Sequence, residues 1–156
     1  MIKFKKLDER AKAPTRAHNT DAGIDLYALE DVKIPSILEV AYNLIIDTFK
    51  GRPDHLCTKV KTGIAIHVPE GYYGKVFDRS SVGSKLLLTC AGVIDYGYAG
   101  DVTVCMYNLS FFSHQVKAGD KIAQMVVMPI NCDELVEVDE LDGSDRGAKG
   151  FGSSGT

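Results

Sequence analysis

The sequence predicts an all-β fold of the sandwich, jelly-roll or barrel type, and three observations support this prediction. Short runs rich in β-branched and aromatic residues recur along the 156 residues, with Gly, Pro, Asn and Asp between them. Several runs alternate apolar and polar residues with a period of two, as at 63–68 and 102–106, which is typical of strands with one buried face. The composition, with 45% hydrophobic and 25% charged residues, is ordinary for a single domain that buries a core.

The predicted strands, in chain order, are residues 2–7, 24–28, 32–34, 58–68, 72–77, 86–90, 102–108, 115–117, 122–129 and 135–138. Residues 37–50 do not fit this pattern, because the spacing of their apolar residues suits a short amphipathic helix and a pair of strands equally well. A turn is predicted at 51–54, where Gly and Pro stand. We therefore expect one β domain over residues 1–145, with an insertion at about 37–55, followed by a flexible arm at 146–156.

The charge and the cysteine spacing argue against several classes of function. The net charge is −3 and Lys and Arg never run beyond a pair, so stable nucleic-acid binding is not expected. The four cysteines lie far apart with no C-x-x-C motif, so a zinc site is not expected, and Cys90 and Cys105 are predicted to be buried free thiols. No stretch resembles a secretory signal or a membrane span, so we expect a soluble protein of the cytoplasm, or of the host cytoplasm or nucleus if it is viral.

A polar loop at residues 78–85 is the first candidate site. Its sequence, Asp-Arg-Ser-Ser-Val-Gly-Ser-Lys, offers backbone amides, three hydroxyls and two cations to an anion such as a phosphate. The alternative is an ordinary strand-to-helix connection whose serines cap the helix. Two further candidates are Asp25, in a turn with Asp21, and Gln124, which is polar within an apolar run and faces either solvent or a site.

A second candidate site is the tight hairpin that residues 92–100 predict, because Asp95 and Gly97 are typical turn residues between apolar flanks. A hairpin tip presents backbone donors and acceptors that can bind the edge of a planar ring. Its carboxylate can deprotonate a water or hold a cation. The alternative is a structural turn that displays Tyr96 and Tyr98 on the surface.

The arm at 146–156 has the Gly- and Ser-rich composition of a disordered end, but Arg146 and Phe151 stand out within it. Glycine lets the backbone approach a ligand closely, and arginine forms a bidentate clamp on phosphate oxygens. The segment therefore predicts either a frayed terminus or a mobile lid that folds over a phosphorylated ligand.

Taken together and in this order, five segments resemble the trimeric dUTP pyrophosphatase (dUTPase) family. They are AGIDLYA at 22–28, DRSSVGSK at 78–85, GVIDYGYAG at 92–100, GDKIAQM at 119–125 and RGAKGFGSSG at 146–155. The resemblance implies a distorted jelly-roll fold and a homotrimer with active sites at subunit interfaces. It also implies Mg²⁺-dependent hydrolysis of dUTP to dUMP and pyrophosphate, a reaction that limits uracil incorporation into DNA and supplies dUMP for thymidylate synthesis.

The resemblance further implies a role for each matching residue. Asp95 would activate the water that attacks the α-phosphorus, and Tyr98 would pack against the deoxyribose. The backbone of Gly92, Val93 and Ile94 would recognise uracil. Asp25 would hold the residues that contact the substrate, or act through metal-bound water. Mg²⁺ would be held mainly by the substrate phosphates. The implied phosphate ligands are Arg79, Ser80, Ser81 and Gln124, and the arm would add Phe151 over the uracil together with Arg146, Gly152, Ser153 and Ser154 around the γ-phosphate end.

The chain departs from the family pattern at several positions. Gly97 and Ala99 replace an aspartate and a longer polar residue of many members, and Lys149 replaces a usual glycine. The insertion at 37–55 would alter trimer contacts or recruit a protein partner, and the sequence leaves this choice open. A dCTP deaminase-like activity is the other alternative, but that enzyme type needs a glutamate where Cys105 stands, and a thiol cannot replace that carboxylate.

Overall fold

The computed structural model of the chain describes residues 1–49, 57–90, 92–144 and 147–148. Within these ranges its regular secondary structure is mostly β-strand, with two short helices, which confirms the all-β prediction. The elements are β1 Lys3–Lys6, β2 Ile24–Tyr27, β3 Val32–Ile34, α1 Ile37–Phe49, β4 Thr58–Val60, β5 Ile64–His67, β6 Tyr72–Phe77, α2 Ser80–Gly83, β7 Leu87–Cys90, β8 Val93–Ile94, β9 Val104–Asn108, β10 His114–Val116 and β11 Lys121–Pro129.

Antiparallel pairing between strands that are distant in sequence organises the fold. The largest sheet has the order β2-β11-β6-β8, and a second sheet has the order β4-β9-β7. Two further pairs, β1 with β5 and β3 with β10, complete the strand arrangement of the described chain. In the largest sheet Gln124 lies opposite Asp25 on one side and opposite Phe77 on the other. This register places three of the candidate segments side by side.

The core lies among these sheets and follows the period-two pattern of the sequence. Strand β9 alternates buried and half-buried residues along its length, as expected for one inward face. Each fully buried large apolar side chain contributes about 1.5–3 kcal/mol to folding. The largest buried side chains include Leu26, Ile34, Ile64, Ile66, Leu87, Met106, Ile122 and Met125.

The single strand predicted at 58–68 is divided into β4 and β5, which pair with different neighbours. The Asp101 carboxylate accepts hydrogen bonds from the backbone N–H groups of Thr62 and Gly63 at 3.3 and 3.0 Å. It also accepts one from the Thr62 hydroxyl at 3.0 Å. These bonds satisfy backbone donors that a continuous strand would direct to its neighbour, so the chain leaves one sheet and enters another at this point.

The ambiguous segment at 37–50 forms a helix, α1, over its described residues Ile37–Phe49. The Ser36 N–H donates to Glu39 Oε2 at 2.8 Å, and the Glu39 N–H donates to Ser36 Oγ at 3.2 Å. This reciprocal pair is a capping box, and its S-x-x-E signature in the sequence favours the helix over two strands. Helix α1 has 13 residues, and across the described ranges neither helix has the length and apolar character that crossing a bilayer requires.

The strand predicted at 135–138 is wrong. These residues are irregular, and Leu135, Val136 and Val138 are 98%, 71% and 54% exposed. Alternating apolar residues favour an extended chain, but a strand also needs a neighbour that accepts its hydrogen bonds. No such neighbour pairs with this segment among the residues that the structure describes.

Candidate active site

A polar cavity of about 330 Å³ lies beside strands β2 and β11, at the loop that follows β6. Four residues of the candidate site line it: Asp25, Arg79, Ser80 and Gln124. Strand pairing explains why they meet, since β11 lies between β2 and β6 and the loop begins directly after Phe77. We call this space the polar cavity.

Asp25 binds two cations at the base of the polar cavity. Its Oδ1 accepts a hydrogen bond from Arg79 Nε at 2.8 Å, and its Oδ2 lies 2.6 Å from Lys121 Nζ. The Asp25 side chain is only 8% exposed, whereas that of Arg79 is 26% exposed. Because both carboxylate oxygens are paired, Asp25 is suited to holding Arg79 in position rather than to contacting a ligand. Arg79, Lys121 and Asp25 together carry a net positive charge, because two cations pair with a single carboxylate.

The serines after Arg79 do not cap the short helix α2. Arg79 itself holds the N-cap position of this helix and makes no capping bond through its side chain. Its Nη1 instead donates to Ser81 Oγ at 3.3 Å, and both Ser80 and Ser81 are exposed. The loop is thus a strand-to-helix connection, but its hydroxyls are presented on the surface beside a fixed guanidinium, as an anion site requires.

Gln124 reaches into the polar cavity rather than toward bulk solvent. Its Nε2 donates to the Asp78 backbone oxygen at 2.9 Å. The Asp78 carboxylate in turn accepts a hydrogen bond from the Thr89 N–H at 2.6 Å. The loop is therefore attached to β11 on one side and to β7 on the other, which fixes the position of Arg79 relative to Gln124.

The segment 92–100, predicted as a tight hairpin, begins with β8, which pairs with β6 at the edge of the largest sheet. A turn follows, but the next strand, β9, pairs with β4 and β7 and not with β8, so the described residues do not form a two-stranded hairpin here. We keep the name hairpin for residues 92–100. The Tyr98 N–H donates to the Asp95 carbonyl oxygen at 3.2 Å and closes a four-residue turn. Gly97, at the third position of this turn, has φ of +83°, a left-handed conformation that favours glycine. The Asp95 side chain is exposed, so a ligand can reach its carboxylate.

Asp101 holds the base of this hairpin. The Tyr98 hydroxyl donates to the Asp101 carbonyl oxygen at 3.0 Å, while the Asp101 carboxylate binds the backbone of Thr62 and Gly63. Tyr98 also lines an open cavity of about 290 Å³ beside β1 and β5. This cavity is separate from the polar cavity that Arg79 lines.

The dUTPase family model matches residues 38–155, most of the chain. The chain belongs to the dUTPase family. The deoxyuridine 5′-triphosphate nucleotidohydrolase of Rattus norvegicus is 39% identical over 155 residues, which cover 99% of this chain and 67% of that protein. The mitochondrial enzyme of Homo sapiens is 38% identical, and the match covers 99% of this chain but 54% of that protein. The chain thus spans between about half and two thirds of the length of these two relatives.

A solved dUTPase structure supports the same fold over the whole chain. The dUTPase of Staphylococcus bacteriophage 80alpha with dUPNHPP is 30% identical, with a TM-score of 0.80, and the match covers 100% of this chain and 99% of that one. The distorted jelly-roll fold of dUTPases is therefore the fold of this chain.

The residues expected in the dUTPase site separate into three groups in this chain. Arg79, Ser80 and Gln124 meet in the polar cavity, with Ser81 bound to Arg79 and Asp25 behind them. A second group lies on the hairpin and comprises Gly92, Val93, Ile94, Asp95 and Tyr98. A third group lies outside the described residues, as does Lys149, and comprises Arg146, Phe151, Gly152, Ser153 and Ser154. Among the described residues, Tyr98 of the second group lines a cavity that is not the polar cavity of the first group.

Sequence reasoning missed Lys121. Its ammonium pairs with Asp25, and its side chain also lines a second cavity of about 250 Å³ that Arg79 shares. The register that pairs β11 with β2 sets this position, with an irregularity between Lys121 and Ala123. A lysine directly after the turn at Gly119 was visible in the sequence, but nothing local indicated that it would face Asp25.

Proposed function

We propose that this dUTPase hydrolyses dUTP to dUMP and pyrophosphate, with Asp95 as the base that activates the attacking water. The observation that supports this assignment is the exposed Asp95 carboxylate on a turn held by its own backbone bond to Tyr98. A base must lie within hydrogen-bond reach of the water it deprotonates, and an exposed hairpin tip allows a substrate to bring that water into position.

Phosphate binding is assigned to the polar cavity. Arg79 is held by Asp25 before any substrate arrives, so little ordering is required when a phosphate binds to its guanidinium. The exposed hydroxyls of Ser80 and Ser81 and the amide of Gln124 add donors around the same space. Fixed donors and cations stabilise the negative charge that develops during phosphoryl transfer.

Uracil recognition is assigned to the backbone of the hairpin. Strand β8 is an edge strand of its sheet as described. Its residue Val93 pairs with Lys75 of β6, and no described strand pairs with the other side of β8. Its outer edge is therefore directed away from the ladder, where amide and carbonyl groups can bind the edge of a base. Tyr98 lies next to this edge with its hydroxyl bound to Asp101, which suits a ring that packs against deoxyribose.

Mg²⁺ is proposed to bind mainly to the substrate phosphates. The donor set of the polar cavity fits a hard cation that arrives with a phosphate chain, because carboxylate and phosphate oxygens are its preferred ligands. Asp21 lines the cavity, and Asp25, whose two oxygens pair with Arg79 and Lys121, would act only through water. When bound, Mg²⁺ neutralises phosphate charge. A structure of a phage phi11 dUTPase, 28% identical with a TM-score of 0.73, describes a structural Mg(II) ion in that protein.

The complete site is proposed to form in a homotrimer, with the hairpin of one copy facing the polar cavity of another. The support is that Tyr98 of the hairpin lines a different cavity from the one that Arg79, Ser80 and Gln124 line within one chain. The arm at 146–156 would then close over the substrate, with Phe151 on the uracil and Arg146, Ser153 and Ser154 at the γ-phosphate. We place this reaction inside the cell, where nucleoside triphosphates occur.

The segment at 37–55 remains a candidate for trimer contacts or for a protein partner. Helix α1 presents Leu38, Tyr42 and Ile45 to solvent at 59%, 65% and 57% exposure. Several large apolar side chains exposed on one helix are typical of a surface that contacts another chain, which supports this proposal.

Product analysis tests the proposed reaction. The full chain is incubated with Mg²⁺ and either dUTP or dCTP, and the products are separated. We expect dUMP and pyrophosphate from dUTP and no reaction with dCTP. Ammonia released from dCTP would instead identify a deaminase, and no product from either nucleotide would leave the proposal without support.

A further inference from the structure

Three cysteine thiols that the proposed reaction does not use meet on the second sheet. The Sγ atoms of Cys57, Cys90 and Cys105 all lie within 4.8 Å of one another, and each residue is half-buried. All three are free thiols. We call these three residues the thiol cluster. The wide spacing of the cysteines along the chain does not predict this cluster, because its members come from three separate strands or their ends.

Strand pairing produces the thiol cluster. Cys105 lies in the central strand β9, and Cys90, the last residue of β7, is its direct partner across the ladder. On the other side of β9, Lys59 is the direct partner of Cys105, and Cys57, two residues before Lys59, lies diagonally across from Cys105 on the same face. Directly opposite residues in antiparallel strands share one face of the sheet. The three thiols therefore converge on one face.

The number and spacing of the sulfur atoms fit a metal ion better than a disulfide. In a tetrahedral zinc–thiolate site with Zn–S bonds of about 2.3 Å, neighbouring sulfurs lie about 3.8 Å apart. A disulfide joins only two sulfurs and would leave the third thiol without a role.

The surrounding charge favours a divalent ion. Three thiolates and one divalent cation together carry a single negative charge, whereas a monovalent ion would leave two. Lys59 is the direct partner of Cys105 on β4, and its positive charge acts on the Cys105 thiol. Zn²⁺ is the divalent ion for which thiolates are preferred ligands in structural sites.

From this geometry we propose that the thiol cluster is a zinc site, with Cys57, Cys90 and Cys105 as three thiolate ligands and water as the fourth. Cys57 lies at the point where the chain returns from α1 and residues 50–56 to the sheet. Zinc bound here joins the end of that segment to β7 and β9. Zinc in this position would stabilise the fold by joining these elements, and the site is distinct from the phosphate-bound Mg²⁺ of the proposed reaction.

Zinc and cobalt titrations of the full-length, reduced, metal-free protein test this proposal. We expect one zinc ion per chain, a rise in the thermal unfolding temperature on zinc addition, and thiolate-to-metal charge-transfer absorption when Co²⁺ replaces zinc. Separate Cys57→Ser, Cys90→Ser and Cys105→Ser variants should each lose more than about 100-fold in zinc affinity, since even outer partners of metal ligands contribute about 10- to 100-fold.

Cys132→Ser is the matched control, because Cys132 is an exposed cysteine outside the thiol cluster. It should bind zinc as the unchanged chain does. Circular dichroism of the metal-free variants separates lost ligands from lost folding, since each should keep the strand signal of the metal-free parent. The proposal is overturned if the reduced protein binds no zinc, if Cys132→Ser loses as much affinity as the others, or if the Co²⁺ complex lacks charge-transfer absorption.

Discussion

The polar cavity and the 92–100 hairpin are built by different means. In the polar cavity, a nearly buried carboxylate holds Arg79 and Lys121, and three strands of one sheet fix the positions of these groups. The hairpin projects from a sheet edge, and a backbone turn and the Asp101 contact hold it. The charged groups of the polar cavity are thus prearranged within one chain, whereas the proposed base recognition and water activation are assigned to an exposed element that, in our proposal, another copy completes.

The largest expected effect separates chemistry from binding. Asp95→Asn should lower kcat by about 100- to 10,000-fold, because this is the usual contribution of a general base. The variant should keep its affinity for a non-hydrolysable dUTP analogue, since the polar cavity is unchanged. Rapid-quench kinetics and calorimetry measure the two quantities. An unchanged kcat would remove Asp95 as the base.

The second prediction concerns the polar cavity, where Asp25 holds Arg79 in position before substrate binds. Asp25→Asn removes the counter-charge of Arg79 and Lys121 while it keeps the size of the side chain. Because this nearly buried carboxylate pairs with two more exposed cations, we expect a loss of about 1–3 kcal/mol in the free energy of unfolding and a raised KM for dUTP. Urea denaturation and steady-state kinetics provide the measurements.

Asp31→Asn is the matched control for Asp25→Asn. Asp31 pairs with Lys117 at 2.7 Å, but both side chains are at least 60% exposed and lie away from the polar cavity. This variant should leave KM unchanged. Equal effects of the two substitutions on KM would contradict the role of Asp25 in holding Arg79.

A third prediction addresses the hairpin. Gly97→Ala places a side chain at φ of +83°, which costs about 1–2 kcal/mol for a left-handed residue. Gly71→Ala imposes the same strain at φ of +77°, also in open space, in the turn before β6. Both variants should lose similar stability in thermal unfolding, but only Gly97→Ala should lower kcat/KM. A similar loss of kcat/KM in both variants would assign the effect to stability alone.

Particular elements show how far the sequence could predict this molecule. Turn residues and period-two alternation predicted most strands and the turn at 95–98, because these are local properties. The pairing of β9 with β4 and β7, in place of the expected hairpin with β8, is not a local property. The meeting of Asp25 with Lys121 and the thiol cluster depend on which strands pair, and neither is encoded in a short window. Residues 135–138 have the local alternation of a strand, but alternation carries no information about a pairing neighbour. The strand prediction there was wrong for this reason.

The smallest expected effect lies in α1, away from both regions. Hydrogen bonds from Lys33 and from the Ser36 N–H hold the pKa of Glu39 below its usual value. A lowered pKa in the folded state means that Glu39 stabilises the helix above its unfolded pKa of about 4.3 and loses this contribution as the pH falls through the folded value. Amide hydrogen exchange in α1, corrected for intrinsic rates, should therefore show weaker protection at acidic pH.

Glu39→Gln provides the control for this pH effect. Glutamine can also close a capping box but does not titrate. The acid-dependent part of the loss of protection in α1 should disappear in this variant, while activity stays unchanged. The same acid dependence in Glu39→Gln would show that another group is responsible.

The central claim is that the polar cavity of one copy works with the hairpin of another. Asp95→Asn and Arg79→Ala chains, each inactive alone, are unfolded together, refolded as a mixture and assayed with dUTP and Mg²⁺. If chains assort at random and each site takes its hairpin and its cavity from different copies, about one quarter of the sites contain both intact groups. We therefore expect activity to return to about one quarter of the unchanged enzyme. A mixture that stays as inactive as its two components would contradict the shared site.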